Sequence, residues 1–169
     1  MNYKSFSISG LGDIRQGGSF YSGTVGGLRT SGMAIETGGD RSQPLIDEGL
    51  VDKGNGLVEN DIPVESHQIF WTENYKTANT EANIFDASYI KLRELRVSYA
   101  LPQSVLANQK VFRAAEIGVE GRNLWLIKSE VPHVDPESNF FGAGGVGEAV
   151  EFYNVPSARS FGVNVRLTF

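Results

Sequence analysis

Three residue patterns in this sequence invite a chemical reading. Gly142, Gly144 and Gly147 spell G-x-G-x-x-G, the spacing with which a strand-to-helix turn cradles a pyrophosphate on a helix N-terminus. Tyr153 to Pro156 follow within a few residues and interrupt any such helix, so a flexible glycine loop is the better reading. Asp61, Glu65 and His67 offer oxygen and nitrogen donors, but the other histidine, His133, is distant in sequence, and a solvated acidic loop accounts for them better than a metal site. Serine, histidine and aspartate all occur, yet no G-x-S-x-G elbow positions a nucleophile. The sequence therefore predicts no catalytic residue, no metal, no cofactor and no enzyme. What remains is aromatic: Phe70, Trp71 and Tyr75 in one stretch, and Phe140, Phe141, Phe152 and Tyr153 in another. Such rings stack on sugar rings or peptide side chains. They also pack loop against loop or against another protein. Trp71, Tyr75, Phe140 and Phe141 are the candidate contacts to a ligand or a covering protein.

Composition narrows what must position these residues. Fifteen Lys and Arg stand against 20 Asp and Glu, which argues against a nucleic-acid binder, whose footprint is a basic patch. Cysteine is absent, so there is no disulfide framework and no thiolate metal site. Twenty Gly beside 10 Phe, 6 Tyr and 2 Trp suit an all-β protein. No apolar run approaches the ~18 residues of a transmembrane helix, so any membrane residence is through strands. The opening MNYKSFSISGLGD has no apolar signal-peptide core, and export would require a signal upstream of Met1.

Alternation places the strands. In Ser160 to Phe169, Phe161, Val163, Val165, Leu167 and Phe169 fall on one side of an extended chain, opposite Ser160, Gly162, Asn164, Arg166 and Thr168. An apolar face ending on a terminal aromatic fits a membrane strand with lipid on one side and a polar lumen on the other. Phe6, Ile8, Gly10, Gly12 and Ile14 share a side in a strand near 3–15, and Leu95, Val97, Tyr99 and Leu101 share one in a strand near 87–101. In that second strand Lys91 and Arg93 sit in line with the apolar set, which predicts that it projects past the hydrocarbon at its Tyr89 end. A third strand near 114–125 places Ala115, Ile117 and Val119 opposite Glu116, Gly118 and Glu120. It has a bulge or close approach at Gly121 and a belt residue at Trp125. Pro102 to Arg113 is a short connection with a helical turn at Ser104 to Asn108, whereas 16–86 and 128–156 are long loops. One short and two long connections predict antiparallel up-and-down strands of a transmembrane β-barrel with extracellular long loops. The competing reading is a soluble secreted β-sandwich ligand-binding module, which tolerates charge anywhere on its outer face; the apolar sides of Leu95 to Leu101 and Ser160 to Phe169 carry none.

Five segments taken together carry a resemblance: YKSFSISGLGDIRQGGSFYSGT (Tyr3–Thr24), DASYIKLRELRVSYALP (Asp86–Pro102), GRNLWL (Gly121–Leu126), VDPES (Val134–Ser138) and VPSARSFGVNVRLTF (Val155–Phe169). In order and spacing they resemble the C-terminal end of SusC/RagA-type TonB-dependent outer-membrane transporters. The resemblance implies a large barrel of roughly 22 strands with a plugged lumen, a SusD-like lipoprotein lid and power through TonB. It also implies uptake of oligosaccharides or peptides in the outer membrane of a Gram-negative bacterium. Phe161, Val163, Val165, Leu167 and Phe169 would be the signal read by the outer-membrane assembly machinery. A full member carries a signal peptide, a TonB-contacting segment, a plug domain and most of the barrel ahead of Tyr3. About four strands cannot close a barrel that needs ~8 at least. Residues 1–169 thus read as a C-terminal barrel segment, a fragment that contributes wall and outer loops to a transporter.

Overall fold

Strict alternation holds a chain extended only where both faces have a use, and the longest alternating runs of this sequence lie side by side in one sheet. The computed structural model describes residues 2–76, 79–107, 111–142, 144 and 147–169. The elements are β1 (Asn2–Tyr3), β2 (Phe6–Arg15), β3 (Ser19–Ser22), α1 (Gly23–Thr30), β4 (Leu50–Asp52), β5 (Leu57–Glu59), α2 (His67–Asn74), β6 (Ile84–Asp86), β7 (Tyr89–Ala100), α3 (Gln103–Leu106), β8 (Ala114–Ser129), β9 (Val150–Glu151) and β10 (Ser160–Thr168). They divide into a sheet unit (Met1–Gly18, Asp86–Val131 and Val155–Phe169) and an inserted unit (Ser19–Phe85 and Pro132–Asn154).

The sheet unit is a five-stranded antiparallel sheet in the order β1-β2-β7-β8-β10. Directly paired residues share a face, so the register defines rows. Phe6, Tyr99, Ile117 and Val165 form one apolar row; Ile8, Val97, Val119 and Val163 form the next; Gly10, Leu95, Gly121 and Phe161 form a third. The other face alternates with it: Ser7, Ser98, Gly118 and Asn164, then Ser9, Arg96, Glu120 and Gly162. Gly118 is required here, since a Cβ would lie 2.8 Å from Asn164 Oδ1 and 3.1 Å from the Ser98 Cβ.

A bulge corrects the expected placement of Lys91 and Arg93. Leu11 pairs with Glu94 and Gly12 with Leu92, so Arg93 is an extra residue in the register of β7 against β2. The inserted residue switches the parity of the strand. Leu92 and Ile90 join the apolar face beside Gly12 and Ile14, while Lys91 turns to the polar face opposite Asp13 and is buried there. The Arg93 guanidinium reaches Asp13 Oδ2 at 2.6 Å, and the Tyr89 hydroxyl donates to the same oxygen at 2.9 Å. The apolar side chains of β2 and β7 therefore continue to Ile14 and Ile90, and Lys128 of β8 stands in the same row at that end of the sheet. On β8 one irregular stretch lies between Arg122 and Trp125, with Asn123 at φ 53, just beyond the expected Gly121, and a second between Leu126 and Lys128. That strand runs on to Ser129. The helical turn expected at Ser104 to Asn108 is α3, and Asn108 lies outside the described residues.

The inserted unit departs from the all-β, all-antiparallel expectation. It holds a sheet ordered β6-β3-β9, in which β3 and β9 run parallel, a β4–β5 hairpin, and the eight-residue helices α1 and α2. The sequence GTVGGLRT is a poor helix former, and tertiary contact overrides that propensity. Ser22 caps α1 by accepting the Val25 N–H at 3.1 Å. The helix packs so closely that a Cβ on Gly23 would overlap the Phe152 ring and one on Gly27 the Tyr153 hydroxyl. Phe20, Val25, Ala34 and Phe70 are buried around it. Glu151, 1% exposed, accepts from Ser22 Oγ and Thr24 Oγ1 at 2.5 Å each and from the Asn154 N–H at 3.1 Å, tying β9 to the start of α1.

Candidate functional site

Two regions could act: a polar cleft in the inserted unit and the apolar face of the sheet unit. The cleft begins at Arg29, in the last turn of α1. Arg29 Nε donates to Glu36 Oε1 at 2.7 Å, and Nη1 donates to the Ala82 carbonyl at 2.8 Å. The same guanidinium lies 5.1 Å from the Tyr75 ring centroid and 5.4 Å from that of Phe85, within cation–π range. His133 Nε2 stands 2.7 Å from the second Glu36 oxygen, across 97 residues of sequence. Partial burial pushes the Glu36 carboxyl up, but the hydrogen bonds from Arg29 and His133 outweigh it and hold it at about 2, against an ordinary 4.5.

Around this anchored group lies a cleft of about 590 Å³ bounded by Arg29, Arg41, Glu65, His67, Gln68 and Trp71, among others. Trp71 packs on Tyr75 at 4.7 Å between centroids and edge-on to Phe70 at 5.3 Å. Of the candidate contacts, Trp71 and Tyr75 thus form one cluster. Phe140 and Phe141 belong to another, with Phe152 and Tyr153: Phe140 meets Phe141 at 5.1 Å and Phe152 at 6.4 Å, and Phe152 meets Tyr153 at 5.0 Å. The second cluster is exposed and does not line the cleft. Asp61 is paired with Lys53 at 2.6 Å, and His67 Nε2 faces the Gln43 carbonyl at 2.9 Å. Gly142 and Gly144 have φ of 80° and 81°, and the chain passes from Gly147 into the two-residue β9. Sequence reasoning missed Arg29, Glu36, Arg41 and His133. Nothing periodic marks them, because their neighbours are distant in the chain.

The apolar face carries the residues expected to form the assembly signal. Phe161, Val163, Val165 and Leu167 project from the edge strand β10 and are exposed, Phe161 at 79% and Val163 at 71%. The Phe169 ring, beyond the strand end, lies 5.2 Å from that of Phe112. Ile8, Leu95, Ile117 and Val119 on the neighbouring strands are exposed as well, so among the described residues no second layer covers this face as a β-sandwich requires. The polar face is laced instead: Arg96 Nη2 donates to Asn164 Oδ1 at 3.0 Å and reaches Glu116 at 3.4 Å, while Arg122 lies 3.3 Å from Glu120 and 3.7 Å from Glu94.

Relatives in sequence and fold agree with this arrangement. No protein-family model matches the chain. TonB-dependent receptor P26 of Formosa agariphila is 30% identical over 96 residues, covering 55% of this chain and 10% of that receptor. TonB-dependent receptor P3 of the same organism is 27% identical over 94 residues, covering 53% and 9%. The RagAB peptide importer matches in fold over 99% of this chain and 16% of the solved chain, at 20% identity, with a TM-score of 0.55 in its open-open state and 0.57 in its closed-closed state. The chain spans about a tenth of the length of the curated relatives it matches. From both directions, the resemblance carried by its motifs holds: this chain is similar to a segment of a SusC/RagA-type TonB-dependent outer-membrane transporter.

Proposed function

We propose that the chain is a C-terminal section of the barrel wall of a TonB-dependent transporter in the outer membrane of a Gram-negative bacterium. The observation that carries this reading is the sheet unit's uncovered apolar face, apolar row upon row, backed by a face of paired charges. Water on both sides would leave that face a severe liability, whereas acyl chains on one side satisfy it. Its extent fits. From Phe6 to Ile14 the chain rises roughly 26 Å at ~3.3 Å per residue, or roughly 20 Å at a tilt of ~40°, close to the ~25 Å apolar band of outer-membrane barrels. Closure, plug and TonB contact belong to the larger protein. The inserted unit, residues 19–85 and 132–154, supplies its long extracellular loops.

The substrates in this reading are oligosaccharides or peptides, taken up beneath a SusD-like lipoprotein; the likeness to a peptide importer supports the latter class. Phe169 and the alternating residues before it are the segment recognised by the assembly machinery. This chain contributes no cysteine, so with any cysteine elsewhere in the transporter replaced, single spin labels report the faces directly. Labels at Val163→Cys and Asn164→Cys in the reconstituted transporter are expected to differ. The first should be relaxed by lipid-soluble oxygen and shielded from a water-soluble nickel chelate, and the second should show the reverse. Equal nickel accessibility at both positions would overturn the membrane reading.

A further inference from the structure

We propose that the cleft of the inserted unit binds a single carboxylate joined to a ring or small apolar group, with Arg41 pairing the carboxylate and Trp71 receiving the rest. Its volume, about 590 Å³, lies within the ~300–1,000 Å³ of small-molecule sites. The two arginines that line it differ in what they have left to give. Arg29 is held by Glu36 and the Ala82 carbonyl. Arg41 is exposed and spends one N–H on the Gly32 carbonyl, at 3.2 Å, leaving most of a planar fork suited to a two-oxygen acceptor. The loop leaves room for that fork beside Gly32. Gly32 has φ +72, and a Cβ there would stand 2.9 Å from Arg41 Nη2.

The other lining groups fix the charge and shape of the ligand. Because a carbonyl can only accept, His67 Nε2 donates to Gln43, which fixes the ring in the wall of the cleft. Glu65 on the same wall opposes a second negative charge, which favours a monoanion over a polyanion. Trp71 offers a broad half-buried ring already braced by Tyr75. A uronic-acid sugar and a peptide C-terminus both present this chemistry. The inference rests on the inserted unit being the nutrient-facing part of a transporter.

The test follows Trp71 fluorescence in the whole transporter in detergent micelles, with Trp125 and every tryptophan outside this chain changed to Phe, titrating methyl glucuronide, neutral methyl glucoside and N-acetyl-dialanine. Saturable quenching by methyl glucuronide or by N-acetyl-dialanine is expected, and whichever quenches identifies the source as sugar or peptide. Arg41→Gln should weaken it roughly tenfold or more, the loss expected of a charge-assisted pair, and Gly32→Ala should weaken it in the same direction. Quenching by methyl glucoside at equal concentration, affinity unchanged by Arg41→Gln, or no quenching by any probe would each overturn the proposal. Detergent dependence is read separately. A chain monodisperse without detergent defeats the barrel-wall reading, whereas a detergent-dependent chain that ignores all three probes defeats only the carboxylate site.

Discussion

The two units of this chain invert one another. The sheet unit turns its aliphatic and aromatic side chains outward and stitches its charges together on the opposite face, whereas the inserted unit buries Phe20, Val25, Ala34 and Phe70. The inserted unit closes that core with a buried carboxylate, Glu151, whose partners are all supplied by the chain itself. One unit carries its own core; the other, in the reading proposed above, borrows one from its surroundings. Hydrophobicity alone does not separate them; what separates them is whether apolar residues recur at every second position or converge from distant segments.

The sharpest way to break this contrast is to charge the borrowed side. Val119 sits mid-band, flanked by Val97 and Val163. Val119→Lys is expected to cost roughly 2–4 kcal/mol if the surroundings are acyl chains, and to remove most of the protein from the outer-membrane fraction. Glu120→Gln, one residue along and on the laced face, removes a partly exposed ion pair and should leave the membrane level close to that of the parent. Equal recovery of the two variants would mean that the apolar face meets water or protein instead.

The second contrast concerns the inserted unit's own core. Glu151→Ala strands the Ser22 and Thr24 hydroxyls and the Asn154 N–H in a buried site. The expected loss is about 3 kcal/mol, seen as a lower urea midpoint for probes placed in residues 19–85. A label on β10 should not respond. An unfolding free energy within about 0.5 kcal/mol of the parent's would show that water reaches the site and satisfies the orphaned groups.

These differences also decide what the sequence could disclose. The alternation of Phe161 to Phe169 and of Leu95 to Tyr99 survives into the sheet because cross-strand rows need only local parity. The bulge at Arg93 defeats parity, since one extra residue reverses every side chain beyond it and no local pattern announces the insertion. The alternation pattern leaves 16–86 and 128–156 as long loops. Its helix α1 depends on glycines that admit Phe152 and Tyr153 from far along the chain, and propensity counts those same glycines against a helix. For the site, an aromatic pattern was legible at Trp71 and Tyr75. The cation that complements them, Arg41, was not, because its placement depends on the backbone conformation at Gly32.

The smallest expected effect is a pH dependence confined to the inserted unit. Glu36 lies at about 2 when folded, against an ordinary 4.5, so the folded form holds its charge more tightly than the unfolded one. A depressed carboxyl contributes stability that is fully present above the unfolded value and is lost as pH falls through the folded one. The difference in urea stability between the parent and Glu36→Gln should therefore shrink as pH falls from about 5 toward about 2. The side chain is 29% exposed, so solvent screening leaves on the order of 1 kcal/mol for this contribution. The Arg29 partner persists at every pH in that window, so the change reports the carboxyl alone. A parent-minus-variant difference that stays flat from about pH 5 to about pH 2 would show that Arg29 and His133 do not hold Glu36 in solution. The cation–π contacts of Arg29 with Tyr75 and Phe85 would then be left to order that end of the cleft.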